Sequence, residues 1–308
     1  MALLEATSGR RFEELIISEW RELGDDTRDL YAIAAVASAL RFGLSRDELL
    51  LAVGDASNAT LASIDALQRR HLIVADPAGG LRVRHRVIAE VLMRALSADG
   101  LLNDVITGLA IAAASKVGPA TPRGHRHYRR IRALMNHDWL TLHVGAAGAK
   151  HFYEELELMM TWDHHYWLQR GTCELEQGNL PLAENFLSQS MSLEPDDPLV
   201  RTEFGYLRLR QAVISPSSAE SRALLEEGFG LLRDAISDRQ GSDPHQYYIY
   251  GSQGLSWLQR GDVTAVERTQ LLKELAELVE EGRRAHLRDE DMRRLLVDIQ
   301  NARLGHGP

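Results

Sequence analysis

The chain has 308 residues, 44% of them apolar and 26% charged, and a formal net charge of −9. That length suits about two domains with cores of their own, and the composition excludes disordered and collagen-like chains. The single cysteine, Cys173, rules out an internal disulfide and fits a reducing cytoplasm, and no apolar run nears the roughly 20 residues that cross a bilayer.

Residues 10–23 carry Phe12, Leu15 and Ile16 on one side, which predicts an amphipathic helix ending at Gly24. From Asp29 to Phe42 the pattern is almost wholly apolar and predicts a buried helix, closed by a left-handed Gly43. Ser45 and Glu48 have the spacing of a capping box for a short helix from Arg46 to Val53, stopped by Gly54. Ser57 or Asn58 starts the next helix, with Leu61, Ile64 and Leu67 on one face. Leu72–Ala75 and Leu81–Arg84 read as short strands around the turn residues Asp76–Gly80. His85–Leu96 returns to helix, with Val87, Ile88, Val91 and Leu92 at helical spacing. Three helices followed by a two-stranded hairpin is the element order of a winged helix.

Residues 101–163 read as less regular helix, suited to capping an array. A basic stretch (Lys116, Arg123, Arg126, Arg129, Arg130, Arg132) runs through it without a carboxylate between Asp104 and Asp138. Residues 1–135 hold 18 Lys/Arg against 16 Asp/Glu and residues 136–308 hold 17 against 28, so the two halves differ in charge. The loop marked by Pro119, Pro122 and Gly124 is the expected boundary between them. Beyond it Gly171 and Gly205 stand 34 residues apart, and Trp167, Gly171, Gly178, Ala183, Leu187 and Pro195 fall at tetratricopeptide (TPR) spacings. Gly254 and Gly261 repeat the phase, and each of Gly205 and Gly254 follows a proline by ten residues. The longer step from Gly205 to Gly254 implies a 15-residue insertion, expected at the Ser/Pro loop Ile214–Ser218. These patterns predict an all-α chain with one small β-hairpin: a winged-helix domain, then a TPR-like α-solenoid. The expected segments are a lid-like helix at 1–24, the winged helix at 25–100, linking and capping helices at 101–165, and repeats at 166–308.

The run Leu81-Arg-Val-Arg-His85-Arg-Val-Ile-Ala-Glu90-Val-Leu resembles the strand-to-helix segment of winged-helix domains in STAND/NACHT-type signalling P-loop NTPases, and the segment from Leu4 to Leu15 looks like the end of their helical lid. None of the three lysines (Lys116, Lys150, Lys273) lies in a G-K-[ST] loop, so the NTPase half of such a protein is absent from this chain. The resemblance implies a non-catalytic regulatory and sensor module of bacterial, cytoplasmic signalling, of the kind used in antiphage defence. It also implies that Arg84 and His85 face the phosphates of ATP or ADP when a nucleotide domain is supplied from elsewhere. The competing expectation for His85 is that it simply begins the helix after the wing and packs there.

No cofactor is implied in the chain itself, and no residue pattern marks a catalytic site. A zinc site is disfavoured because His125-x-His127 and Asp163-His164-His165 lack ligand spacing. Cys173 and the aromatic residues Trp162, Tyr166, Trp167, Tyr247, Tyr248, Tyr250 and Trp257 read as repeat packing, with some tyrosines left to line a concave face. Repeat grooves hold peptides or helices of partner proteins, and Tyr206, Arg210, Tyr250 and Trp257 are the expected contacts. The alternative is a DNA-binding transcriptional regulator with a TPR sensing domain, its phosphates met by Arg69, Arg70, Arg82, Arg126, Arg129 and Arg130. Against it, the exposed start of the helix before the wing offers Ser57, Asn58 and Asp65 but no base-reading cation. The basic run is expected instead to neutralise the acidic half of the chain.

Overall fold

Every residue from Leu30 to Ala37 is buried, so the helix that carries them, α2 (Asp25–Ala39), has to be covered on all sides. Its cover consists of α1 (Ala2–Arg21), α3 (Arg46–Val53), α4 (Asn58–Arg69), α5 (Arg86–Ala98), α6 (Leu102–Ala114) and the strand β2 (Leu81–Val83). The computed structural model describes residues 2–304, with side chains from residue 12 onward, so the extreme ends of the segments 1–24 and 166–308 lie outside the described residues. The described chain is all-α apart from one hairpin, and it divides into two compact units, residues 1–169 and 170–308. Among these residues no single helix is long and apolar enough to cross a membrane.

The N-terminal helix buries Ile16 and Trp20, whereas Phe12 and Leu15, expected on the same face, are exposed. Val87 is exposed as well, leaving Ile88, Val91 and Leu92 as the inner face of α5. The left-handed residue after α2 is Arg41 (φ 66°), not Gly43. Gly43 is needed for room instead: a Cβ there would lie 2.9 Å from the carbonyl carbon of Gly80. That close approach lets Leu44 exchange both backbone hydrogen bonds with Leu81, adding one bridge residue to the antiparallel pair β1 (Ile73–Ala75) and β2. Ser45 and Glu48 form the capping box of α3, and Gly54 ends that helix in the left-handed region (φ 77°).

The expected boundary loop at 119–124 lies within the first unit. It leads into α7 (Arg126–Leu134), which returns to the N-terminal helices: Arg130 pairs with Glu48, donates to the Gly43 carbonyl at 2.7 Å, and lies over the Phe42 ring. The carboxylate that Arg130 meets is therefore in the first unit, and not in the acidic half of the chain. Burial alone pushes the Glu48 carboxyl up, but the Ser45 backbone N–H and the charge of Arg130 outweigh it and hold it below the usual range. Burial shifts the neighbouring His127 down, towards the neutral form. The unit ends with α8 (His137–Met160), broken at Gly145 (φ 73°, ψ 172°).

Past α9 (His164–Glu176), which spans the division, the second unit is a succession of antiparallel helices: α10 (Leu180–Leu193), α11 (Pro198–Ile214), α12 (Ser218–Asp238), α13 (Pro244–Trp257), α14 (Ala265–Ala285) and α15 (Glu290–Arg303). Gly171, Gly205 and Gly254 each bring one helix against a leucine of the next. A Cβ would meet Leu187 at 2.7 Å, Leu232 at 3.2 Å and Leu275 at 2.6 Å respectively. The longer second period is not a loop insertion. Only 215–217 separate α11 from α12, and the extra residues lengthen the helices, to 17 and 21 residues against 13 and 14 in α9 and α10. Arg260 ties the far end together, donating to the carbonyls of Ala212, Val213 and Ser215 while pairing with Asp262.

Gly171→Ala is expected to destabilise by about 1–2 kcal/mol, because overpacking against the Leu187 side chain and backbone N–H exceeds the helix propensity gained. Gly230→Ala, which meets nothing within 4 Å, is expected to gain up to about 1 kcal/mol; equal shifts in urea midpoint at the two sites would contradict the close-approach argument. In the first unit Arg130→Met leaves Glu48 without its guanidinium and is expected to cost roughly 3 kcal/mol. The lowered Glu48 carboxyl stabilises the fold above its unfolded value near 4.5 and loses that contribution as pH falls through the folded value. Urea titrations over that range should show the acid loss in the wild type and much less of it in Glu48→Gln.

Candidate functional site: a groove along the second unit

The groove follows from how α13 is shared between its neighbours. Tyr247, Tyr250, Gly251, Gly254 and Trp257 are buried, which consumes most of the helix circumference. What remains is a stripe at helical spacing, His245, Tyr248, Ser252, Leu255 or Ser256, and Gln259. Two cavities, of about 480 and 660 Å³, lie along this stripe and share Tyr248, Ser252 and Asp291 in their walls. Helices α11 and α15 supply the flanks. Tyr206 stands at one end, and Leu295 and Ala302 at the other.

The two ends differ in chemistry. At the Tyr206 end the walls include Glu176, His245, Asp289 and Asp291. His245 Nε2 lies 3.6 Å from Glu203 Oε1, and this partner draws the imidazole pKa up despite the opposing effect of burial. Glu203 Oε2 is buried and accepts no hydrogen bond from the described residues. Arg210 donates to the Tyr206 hydroxyl at 3.1 Å, and burial raises that phenol's pKa. The opposite end is mixed: Leu255, Leu258, Leu295 and Ala302 share its walls with Gln259, Arg268, Arg294 and Asp298. Among the described residues no group of three or more His, Cys, Asp or Glu side chains is placed to hold a metal ion.

Of the four expected partner contacts, the structure leaves Tyr206 and Arg210 half-buried at the groove and withdraws the other two. Tyr250 stacks on Phe229 with ring centroids 4.0 Å apart, and burial pushes its phenol up to about 12. Trp257 is 3% exposed and donates its indole N–H to Ser221 Oγ at 2.8 Å. Both are packing residues because they face α12 rather than the open stripe. Tyr248, exposed, takes their place. Glu176, Glu203, His245, Asp289 and Asp291 carried no motif. The alternation of buried aromatics with His245, Tyr248 and Ser252 was the available signal.

Elsewhere the expected site residues are dispersed. Arg84 pairs with Glu19 of α1 at 3.6 Å, and His85 begins α5 as its N-cap, exposed and without a side-chain cap bond. Arg82 is held by Asp76 at 2.6 Å within the hairpin, and Asp65 of α4 by Arg46. Arg69, Arg70, Arg126 and Arg129 are exposed, whereas Arg130 is committed to Glu48.

The raised His245 pKa gives a direct test. Its imidazole is expected to titrate above 6.5 by NMR and to move back towards 6.5 in Glu203→Gln. The sign of the linkage is that His245 stabilises the fold below 6.5 and loses that contribution as pH rises through its folded value. An unmoved titration in Glu203→Gln would remove Glu203 as the cause. No protein-family model matches the chain, and no curated protein and no solved structure is significantly similar to it.

Proposed function

We propose that the chain is the non-catalytic regulatory and sensing module of a STAND-like signalling NTPase, and that it holds a partner protein in the groove of its second unit. The observation that carries the binding role is the groove itself, two adjoining cavities walled by α11, α13 and α15 that share the exposed Tyr248. Alternate helices of a stack of two-helix repeats share one inner face, and such faces bind peptides and helices. The recurrence of one glycine–leucine approach at Gly171, Gly205 and Gly254 supports the TPR-like reading of that stack.

The winged-helix reading of residues 25–98 is supported by the order α2, bridge residue Leu44, α3, α4, β1, β2 and α5. In that reading Arg84 and His85 close the hairpin on the side where a nucleotide domain, supplied by another segment or chain, would bring the phosphates of ATP or ADP. The DNA-binding alternative draws on the exposed Arg69 and Arg70. The engagement of Arg82 by Asp76 weighs against it.

Photo-crosslinking separates these readings. A benzophenone amino acid in place of Tyr248 is expected to give protein adducts in the native host, reduced when Tyr206→Ala is added. The same group at Glu277, exposed on α14, is expected to give none. Absence of adducts at position 248 would overturn the partner-binding role. Retention of duplex DNA by the purified chain, lost on raising salt, would favour the regulator instead.

A further inference from the structure

We infer that the groove's occupant is a basic peptide segment, with a lysine or arginine side chain seated between Tyr206 and Tyr248. The inference rests on the partner-binding role proposed above and adds the partner's chemistry. The cavity of about 480 Å³ at this end is walled by Glu176, Asp289 and Asp291 together with His245. Glu176 is exposed, and its charge acts on His245. Asp289 spends one oxygen on the Met292 N–H that starts α15, and Asp291 has Arg294 at 3.7 Å. Glu203 adjoins the same corner through His245, with Oε2 buried and undonated.

Three carboxylates thus line this cavity and Glu203 stands behind His245, while the chain answers with the His245 imidazole, Arg294 beside Asp291 and, through the Tyr206 hydroxyl, Arg210. Glu176, Asp289 and Asp291 line the cavity with acceptor oxygens, and an ammonium or guanidinium group brings N–H donors to match them. The exposed ring of Tyr248 favours the same charge, and Tyr206 already holds a guanidinium, Arg210, 5.7 Å from its ring centroid. The raised pKa of His245 reports a field of that sign, since the site already draws a proton onto its one titratable cation. An anionic segment would meet the opposite conditions.

The other end sets what accompanies the cation. Leu255, Leu295 and Ala302 give the cavity of about 660 Å³ an apolar side that suits an aliphatic side chain, beside the charged Arg268, Arg294 and Asp298. The walls follow α13 from His245 to Gln259, about 20 Å at 1.5 Å per residue. An extended chain covers that span in about six residues. From the seat beside Tyr248 to Leu255 is about 10 Å of that span, so the basic and aliphatic anchors stand about three residues apart.

Three fluorescein-labelled pools of synthetic peptides of about eight residues test this against the full chain by fluorescence anisotropy. The pools share their aliphatic content and differ in carrying Lys/Arg, Asp/Glu or Ser/Gln. The basic pool is expected to bind, to weaken about tenfold when Glu176→Gln and Asp291→Asn are combined, and to lose binding in Tyr206→Ala with Tyr248→Ala. Circular dichroism and an unchanged melting temperature verify that both variants fold. If the basic pool binds but the charge variant does not weaken it, the chain's overall negative charge is responsible and the inference is overturned. If the acidic or uncharged pool binds best and needs the two tyrosines, the groove remains a partner site and the cationic assignment falls. If no pool binds, both fall.

Discussion

The second unit depends on how closely its helices approach one another at three glycines. At Gly171, Gly205 and Gly254 the missing side chain lets a neighbouring leucine sit where a Cβ would be, and at Gly205 the carbonyl of Gly228 also comes within 3.1 Å of that position. Packed interiors do not absorb such intrusions cheaply, because displacement of one leucine propagates to the side chains it touches. The approach therefore fixes the distance between helices, and that distance determines which residues of α13 are covered. Tyr250 and Trp257 are swallowed because α12 and α14 are near. Tyr248 stays at the surface because it points away from both.

The first unit is fixed by a different device. Its central helix is apolar all round and would accept many coverings, so shape alone specifies little. The Glu48–Arg130 pair, with the Gly43 carbonyl as third member, adds direction. Glu48 serves twice, through one oxygen on its own helix N-terminus at Ser45 and through the other on Arg130. Loss of the guanidinium leaves a carboxylate that neither water nor Ser45 fully satisfies. Buried pairs contribute little net energy when intact and cost several kcal/mol when halved. Their value lies in rejecting alternative placements of α7.

How much of this was legible in the chain alone follows the same division. Capping boxes, helix stops and the hairpin turn depend on residues within about four positions of one another, and Ser45, Glu48, Gly54 and Asp76 reveal them directly. The glycine period was readable for a similar reason, as each glycine recurs in the same helical context. Gly43 misled because its requirement is not local: the constraint comes from Gly80, 37 positions away in the chain, while Arg41 accepts the left-handed turn. The charge difference between the halves misled in the same way. It averages over residues that never meet, whereas Arg130 answers to one buried carboxylate. The lengthened period was read as a loop because helix ends are hard to place, and three more turns of helix occupy the residues that an insertion would.

The groove shows why a binding face can be nearly silent in a sequence. A catalytic centre needs particular side chains at particular distances, and such sets leave motifs. A repeat groove needs only that one stripe of each inner helix be withheld from packing. In α13 that stripe is marked by small and polar residues, Ser252 and Ser256, flanked by Tyr248 and Leu255, while the aromatic mass lies on the other side. Its charge is not written on one helix either: Glu176 comes from α9, Glu203 from α11, His245 from α13, and Asp289 and Asp291 from the start of α15. Each is unremarkable where it stands in the chain. Only the helix-to-helix distance set by the glycines gathers them at one end of one channel. The same residues on a looser stack would be an ordinary solvated surface.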